Sequence, residues 1–509
     1  MILSYKQPFF YLFTAFIILF ISIQTIDTEK DKDDHYSFSD YDLYIDPVIP
    51  HTAMRKFGVI TYARIDLQNA FRPYEDTSIT RDSIDDFFSA RPDHEPNSMT
   101  DVFEDKNLIM IMAEALDTYA IHPKLTPNLY KLLETSHTFD NFYAPLYYRN
   151  TADTEFMVQT GFYPNKNVQL SMERYIDNYF PNTLPKLFQE QGYHTAAFHN
   201  FSDHFYPRAT FHPEALGYDV YYGPDELGLE EPLPEDREAS GHYWHSDLEM
   251  FEKGLPKIIN KDKFYAYFLT VTGHLPYEPN RHDFALKHYP EIEAILIEEG
   301  LEDIDESLKY YHASQWEFDL AIGYLIEALK DAGKYEDTII MIYGDHYAYG
   351  LDQDVIWEYE TEMGDNNPFA KDASTPLNIH NVPLIISNPN ITPKKHSQYF
   401  ATIDLTPTIS NMFNLDLDYQ QIIGQDAFNS HYNTIILSSS SFITKNYHYN
   451  VKEDLFVSKT ELSTLNEDQM RALIGEVLYL YRINNYVLEY NYFQTEDPGF
   501  SNMLEGLID

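Results

Sequence analysis

Asp345 and His346 follow directly on an uncharged run in TIIMIYGDHYAYG, residues 338–350. An adjacent carboxylate and imidazole suit a divalent cation such as Mn2+ or Zn2+. A second acid, Glu114, comes just past the apolar run NLIMIM, and His199 and His274 each follow a further apolar run. The segment HNFSDHFYPR, residues 199–208, adds Tyr206 and Arg208. Its imidazoles and planar guanidinium fork suit a phosphate head group, although the segment reads equally as a histidine-rich surface loop. Thr151 stands close to Asp153, Thr154 and Glu155. A threonine hydroxyl is a poor nucleophile unless a metal or base lowers its pKa, so away from a cation Thr151 is a helix N-cap with Glu155 in the first turn.

Positioning these groups requires strands that end at one edge. Residues 107–112, 193–198, 264–271, 338–343 and 382–386 are apolar enough for strands covered on both faces. At least four of them are followed at once by Glu114, His199, His274 or Asp345-His346. In open α/β sheets ligands bind at the carboxyl ends of the strands. Helices are predicted over 126–137 (Thr126 as N-cap, Pro127 in the first turn), 183–192, 247–259, 314–332 and 407–413. The fold class is therefore α/β: a mostly parallel central sheet flanked by helices. Residues 428–509 predict a smaller α+β part, with a strand near 441–449, a helix over 466–480 and a further helix or strand near 486–493.

Composition narrows the function. The 509 residues carry 35 Lys and Arg against 81 Asp and Glu, a formal charge of −46. That excess argues against a nucleic-acid groove, and an anionic ligand would need a local cation. With no cysteine there is no disulfide, zinc-thiolate site or cysteine nucleophile. Residues 8–26 are uncharged over 19 residues, with Lys6 before them and Asp27, Glu29 and Asp31 after. This predicts a membrane anchor over 1–26 with the remainder outside the cell. An acidic stalk or wrapping segment over 27–103, a catalytic domain over 104–427 and a C-terminal subdomain over 428–509 complete the expected organisation.

Eight blocks carry a resemblance: NLIMIMAEALD, LTPNLYKLLETSHTFDNFYA, NTADTEF, AAFHNFSDHFYPR, TGHLPY, MIYGDHY, NVPLII and IDLTPTI, in that order over about 105–415. In these the chain resembles the extracellular domain of lipoteichoic acid synthases, the sulfatase-like phosphoglycerol transferases of the alkaline phosphatase superfamily. The resemblance implies a sulfatase/alkaline-phosphatase-like fold. It implies one Mn2+ or Mg2+ held by Glu114, Thr151, Asp345 and His346, with Thr151 as nucleophile. It further implies that His199, Arg208 and His274 face the glycerol phosphate, with Tyr206 where the family usually has tryptophan; Asn150 stands where a lysine is usual. The implied partners are a phospholipid donor such as phosphatidylglycerol in the membrane, and an anionic cell-envelope polymer or glycolipid as acceptor. Water as acceptor would make a phosphodiesterase. A sulfatase would need a Cys or Ser in a C/S-x-P-x-R context, and neither is present. A phosphoethanolamine transferase of the superfamily would typically be disulfide-rich. From another class, a non-catalytic surface protein retaining the fold would not need Glu114, Thr151, Asp345 and His346 intact.

Overall fold

The computed structural model describes residues 79–494 apart from 167, 203–205, 230–243, 280–281, 364–370, 372–374, 430–433, 452–454 and 460–464, together with residues 54, 57–59 and 61–64. The chain divides into two units, residues 1–77 and 78–509. In the first, residues 54, 57, 59 and 61–64 are helical. The predicted anchor at 8–26 lies outside the described residues. Among those residues no helix is long and apolar enough to cross a membrane.

The second unit is built on eight strands: β1 Asn107–Ala113, β2 Ser136–Tyr143, β3 His194–His199, β4 Val220–Tyr222, β5 Phe264–Leu269, β6 Thr338–Gly344, β7 Leu384–Ser387 and β8 Lys394–Ala401. Their order is β4-β3-β5-β1-β6-β7-β2-β8. All pairings are parallel except those of β7, which runs against both neighbours. The central strands β1 and β6 read as unbroken apolar runs because helices cover both faces of the sheet. Alternation sends Leu108, Met110, Met112, Met341 and Tyr343 into one core, and Ile109, Ile111, Ile340 and Ile342 into the other.

The helices that matter here are α1 Arg81–Ser89, α2 Pro127–Leu132, α3 Thr151–Thr160, α4 Leu184–Glu190, α5 Asp247–Ile258, α6 Asp283–Glu299, α7 Glu306–Asp331, α8 Gln353–Met363, α9 Leu405–Met412 and α10 Glu467–Glu489. A separate four-stranded antiparallel sheet, β9 Ile435–Ile436, β10 Phe442–Ile443, β11 Tyr447–Asn450 and β12 Leu455–Ser458, belongs to the C-terminal part.

Several expectations are corrected. The helix predicted over 126–137 ends at Leu132 and passes through a 3-10 turn into β2, because Ser136 and His137 pair with Ser387 and Ile386 of β7. Thr126 caps no helical N–H; its hydroxyl donates to the carbonyl of Ala120. The strand near 441–449 is a hairpin, β10 and β11. The helix over 466–480 runs on to Glu489, absorbing the first half of the element expected near 486–493.

Candidate active site

Register brings the first residues together. Ala113 of β1 lies beside Gly344 of β6, so Glu114 and Asp345 leave the sheet at the same level. Close backbone packing fixes that level. A Cβ on Gly344 would stand 2.1 Å from the carbonyl oxygen of Leu116, and one on Gly273 would stand 2.0 Å from that of Glu114. Any side chain at either position would push the β1 turn off the site. Gly273→Ala is expected to lower stability by about 1–3 kcal/mol and to weaken metal binding with it. A thermal melt beside a Mn2+ titration checks both.

Thr151 arrives from another direction, as the first residue of α3. Asn150 before it holds φ 44° and ψ −108°, a conformation costing a non-glycine residue about 1–3 kcal/mol. In this turn Thr151 Oγ1 donates to Glu114 Oε2 at 3.1 Å and lies 3.3 Å from His346 Nε2. The hydroxyl therefore faces the two ligand residues, and the N-cap position belongs to Asn150.

Glu114, Asp345 and His346 each offer a buried ligand atom, all within 4.8 Å of one another. Asp345 Oδ1 accepts from the backbone N–H of Ala115 and of His346, at 2.8 and 2.9 Å. Its Oδ2 is buried with no hydrogen-bond donor, 3.1 Å from His346 Nε2. The imidazole spends Nδ1 on the carbonyl of Tyr347, 3.0 Å away, which turns Nε2 toward the carboxylates. Burial raises the carboxyl pKa of both acids, and the charge of Asp345 adds to the rise at Glu114. Among the described residues no lysine or arginine pairs with either acid. Two buried carboxylates, a directed imidazole nitrogen and an unsatisfied oxygen form a donor set that fits a divalent cation. Those three residues would hold it, with Thr151 Oγ1 alongside.

A second cluster lies beside the first. Arg208 is 2 % exposed; its Nε donates to Glu155 Oε2 at 2.8 Å, and its Nη1 stands 3.3 Å from His199 Nε2. His212 Nε2 donates to the other Glu155 oxygen at 2.6 Å. The Tyr206 ring covers the guanidinium at 5.0 Å. His199 Nδ1 is paired with the Leu269 carbonyl at 3.0 Å, and burial, then Arg208, pushes its pKa down to about 3, so the ring is neutral. His274 Nδ1 lies 2.7 Å from the carbonyl of Leu275, and its ring lies 4.6 Å from that of Trp244.

The residues 106–415 match the sulfatase family model, about three fifths of the chain. The chain belongs to the sulfatase family. Among curated relatives it is 26 % identical over 381 residues to the lipoteichoic acid synthase-like protein YvgJ of Bacillus subtilis, covering 72 % of this chain and 57 % of that protein. It is 24 % identical over 468 residues to lipoteichoic acid synthase 2 of the same organism, covering 87 % and 65 %. The chain thus spans less than two thirds of the length of these relatives. Among solved structures, the lipoteichoic acid synthase LtaP from Listeria monocytogenes superposes with a TM-score of 0.63 at 22 % identity, covering 81 % of this chain and 98 % of that one. An alkaline phosphatase superfamily protein from Vibrio parahaemolyticus gives 0.58 at 18 %, covering 82 % and 98 %. These two likenesses show that the chain shares the fold of both structures.

Within this sulfatase-family site, sequence reasoning gave no role to Glu155 beyond helix capping, and none to His212 or Asp247. The spacing of Thr151 and Glu155 was the available signal, since four residues put both on one face of α3. Asp247 is buried and accepts from the Asn200 amide at 2.8 Å, from the Val271 N–H at 2.9 Å and from the Thr272 hydroxyl, tying the ends of β3 and β5 together. Nothing local announces it. For Glu155, burial alone would raise the pKa, but Arg208 and His212 outweigh it and hold the carboxyl at about 2. A depressed carboxyl stabilises the fold above its unfolded pKa of about 4.5, and the contribution disappears as pH falls toward 2. Glu155→Gln is expected to cost about 3 kcal/mol at pH 7, a deficit that shrinks steadily below pH 4.5. Urea unfolding of both proteins between pH 3 and 7 measures it; a deficit independent of pH would contradict the ion-pair account.

Proposed function

We propose that the chain transfers glycerol phosphate from a glycerophospholipid, with phosphatidylglycerol as the donor, to a cell-envelope polymer or glycolipid of the lipoteichoic acid type. The observation that carries this is the Thr151 hydroxyl at the start of α3, held 3.1 Å from Glu114 and 3.3 Å from His346 beside the three-residue donor set. A helix N-terminus carries partial positive charge, which would favour a phosphate reaching Thr151 at the start of α3.

A divalent cation, Mn2+ or Mg2+, held by Glu114, Asp345 and His346 with Thr151 would supply positive charge at the hydroxyl and the phosphate oxygens. The chain's own residues do the rest. Glu114 Oε2 orients the Thr151 O–H, so the oxygen lone pair can meet phosphorus as the proton is drawn away. The new bond is Oγ–P and the broken one is P–O to diacylglycerol, which leaves with a proton. An acceptor hydroxyl then attacks the glycerophospho-threonine and returns Thr151. Arg208, fixed by Glu155, supports the phosphate with its Nη groups, neutral His199 orients Nη1, and His274 and Tyr206 border the head group. A single-pass anchor at 8–26, with the catalytic domain outside, would hold the site near lipid headgroups.

Family membership leaves sulfate ester hydrolysis as the natural comparison. A threonine at the nucleophile position and the absence of cysteine from the chain favour phosphoryl transfer. The test is release of diacylglycerol from fluorescent phosphatidylglycerol by the full chain, with Mn2+ and with EDTA. Metal-dependent release is expected. Hydrolysis of an aryl sulfate with no lipid turnover would replace this reading by a sulfatase one, and turnover of phosphatidylethanolamine alone would reassign the donor.

A further inference from the structure

A cavity of about 470 Å3 opens at the far end of α3 from Thr151. The carbonyl of Gly161, which ends that helix, accepts from the N–H groups of Ile423 and Gly424. Arg91 in turn donates to the carbonyls of the same two residues, at 3.3 and 3.2 Å, and lines the cavity. Ten helical residues place this end about 15 Å from the nucleophile. The volume falls within the range of about 300–1,000 Å3 common for small-molecule sites.

Its walls are held by hydrogen bonds and ring contacts. Asp426 is 1 % exposed and accepts from His94 Nε2 at 3.0 Å and the Asn97 amide at 2.7 Å. The His94 ring stacks on Tyr419 with centroids 3.8 Å apart and planes 8° from parallel. Across the cavity Phe87 meets Tyr479 edge to face at 6.4 Å, and Tyr479 is 40 % exposed. Asp86 on α1 adds an exposed carboxylate to the lining.

Charge selects the ligand. Two carboxylates and the C-terminal end of α1, which carries negative partial charge, disfavour an anion, so this is no second phosphate site. A bare cation would meet the Arg91 guanidinium. A purely apolar ligand would strip water from Asp86 and Arg91 with nothing in return. Aromatic faces flanked by fixed acceptors and donors of nearly balanced charge match a neutral polyol whose C–H face packs on a ring while its hydroxyls bond to carboxylate and backbone. We infer that this cavity binds a neutral hexose unit, as the headgroup of a glycolipid or the end of a soluble glycan. The inference does not rest on Thr151 being a nucleophile.

Saturation-transfer NMR of the full chain with methyl β-D-glucoside, methyl α-D-galactoside and N-acetylglucosamine tests it. At least one hexoside is expected to receive saturation. Tyr479→Ala and Asp86→Asn, both on exposed side chains, should each weaken binding about tenfold, or ~1.4 kcal/mol, while Thr151→Ala leaves it unchanged. The same hexose on diacylglycerol in mixed micelles identifies the source: displacement of the hexoside indicates a lipid headgroup, and absence of displacement a soluble glycan. No transfer to any hexoside, a signal that survives both cavity substitutions, or loss in Thr151→Ala would each overturn the proposal. None of these outcomes bears on phospholipid turnover, so the two readings fail separately.

Discussion

Thr151→Ala is expected to lower diacylglycerol release by about three orders of magnitude or more while leaving the fold intact. The two halves of that expectation come from one geometry. Thr151 is the first helical residue and its hydroxyl satisfies no helical N–H, so alanine there removes no cap. What is lost is the oxygen 3.1 Å from Glu114 and 3.3 Å from His346. Thr151→Ser keeps the oxygen and should retain measurable turnover. Under donor excess with no acceptor, mass spectrometry of the wild type should find one glycerophosphoryl group on the peptide carrying Thr151. A variant that melts several degrees lower yet turns over normally would make Thr151 a structural residue and sink the nucleophile assignment.

Mn2+ is expected to stabilise the wild type through Glu114, Asp345 and His346, and Asp345→Asn should abolish that gain. A ligand at one hundred times its Kd stabilises a native state by about 2.7 kcal/mol, and the substitution should remove essentially all of it. The metal-free comparison has the opposite sign. Burial raises the carboxyl pKa of Glu114 and of Asp345, and the charge of Asp345 adds to the rise at Glu114, so the cation-free cluster works against the fold. Asparagine keeps an oxygen for the N–H groups of Ala115 and His346 and removes the like charge. Without metal the variant should therefore melt at or above the wild type; with Mn2+ it should melt below. Melting curves in EDTA and in Mn2+ separate the two effects, and an undiminished Mn2+ shift in the variant would mean the ion binds elsewhere.

Much of the scaffold was legible because its signal is local. The runs at 107–112 and 338–343 could be read as doubly covered strands from apolar content alone, and both are fully buried. The strands that escaped have weaker patterns. β2 mixes buried Phe139, Phe142 and Tyr143 with partly or fully exposed polar residues and has no strict alternation, β4 has three residues, and β8 begins with two exposed lysines at the sheet edge. Charged edge strands resist further pairing, and for that reason they look like loops in sequence. The helix predicted over 466–480 continues to Glu489 through the polar pair Asn484 and Asn485. In the structure the Asn484 side chain bonds both backbone groups of Tyr163, at 2.8 Å each, a partner 321 residues away.

The same division runs through the site. Sequence alone determined which polar residues stand at the ends of apolar runs, since a strand and the residue following it are neighbours in the chain. Glu114, His199, His274 and the Asp345-His346 pair were nominated on that basis. Tertiary structure decided which of them meet. The register of β1 on β6 sets Glu114 against Asp345, and the strained turn at Asn150 aims Thr151 between Glu114 and His346. Packing alone gave Arg208 its buried partner in Glu155 and joined residues near 90 to residues near 425 around a cavity. Local preferences reach only a few residues along the chain, whereas a buried charge or a cavity wall is fixed by whatever the whole fold brings within a few ångströms.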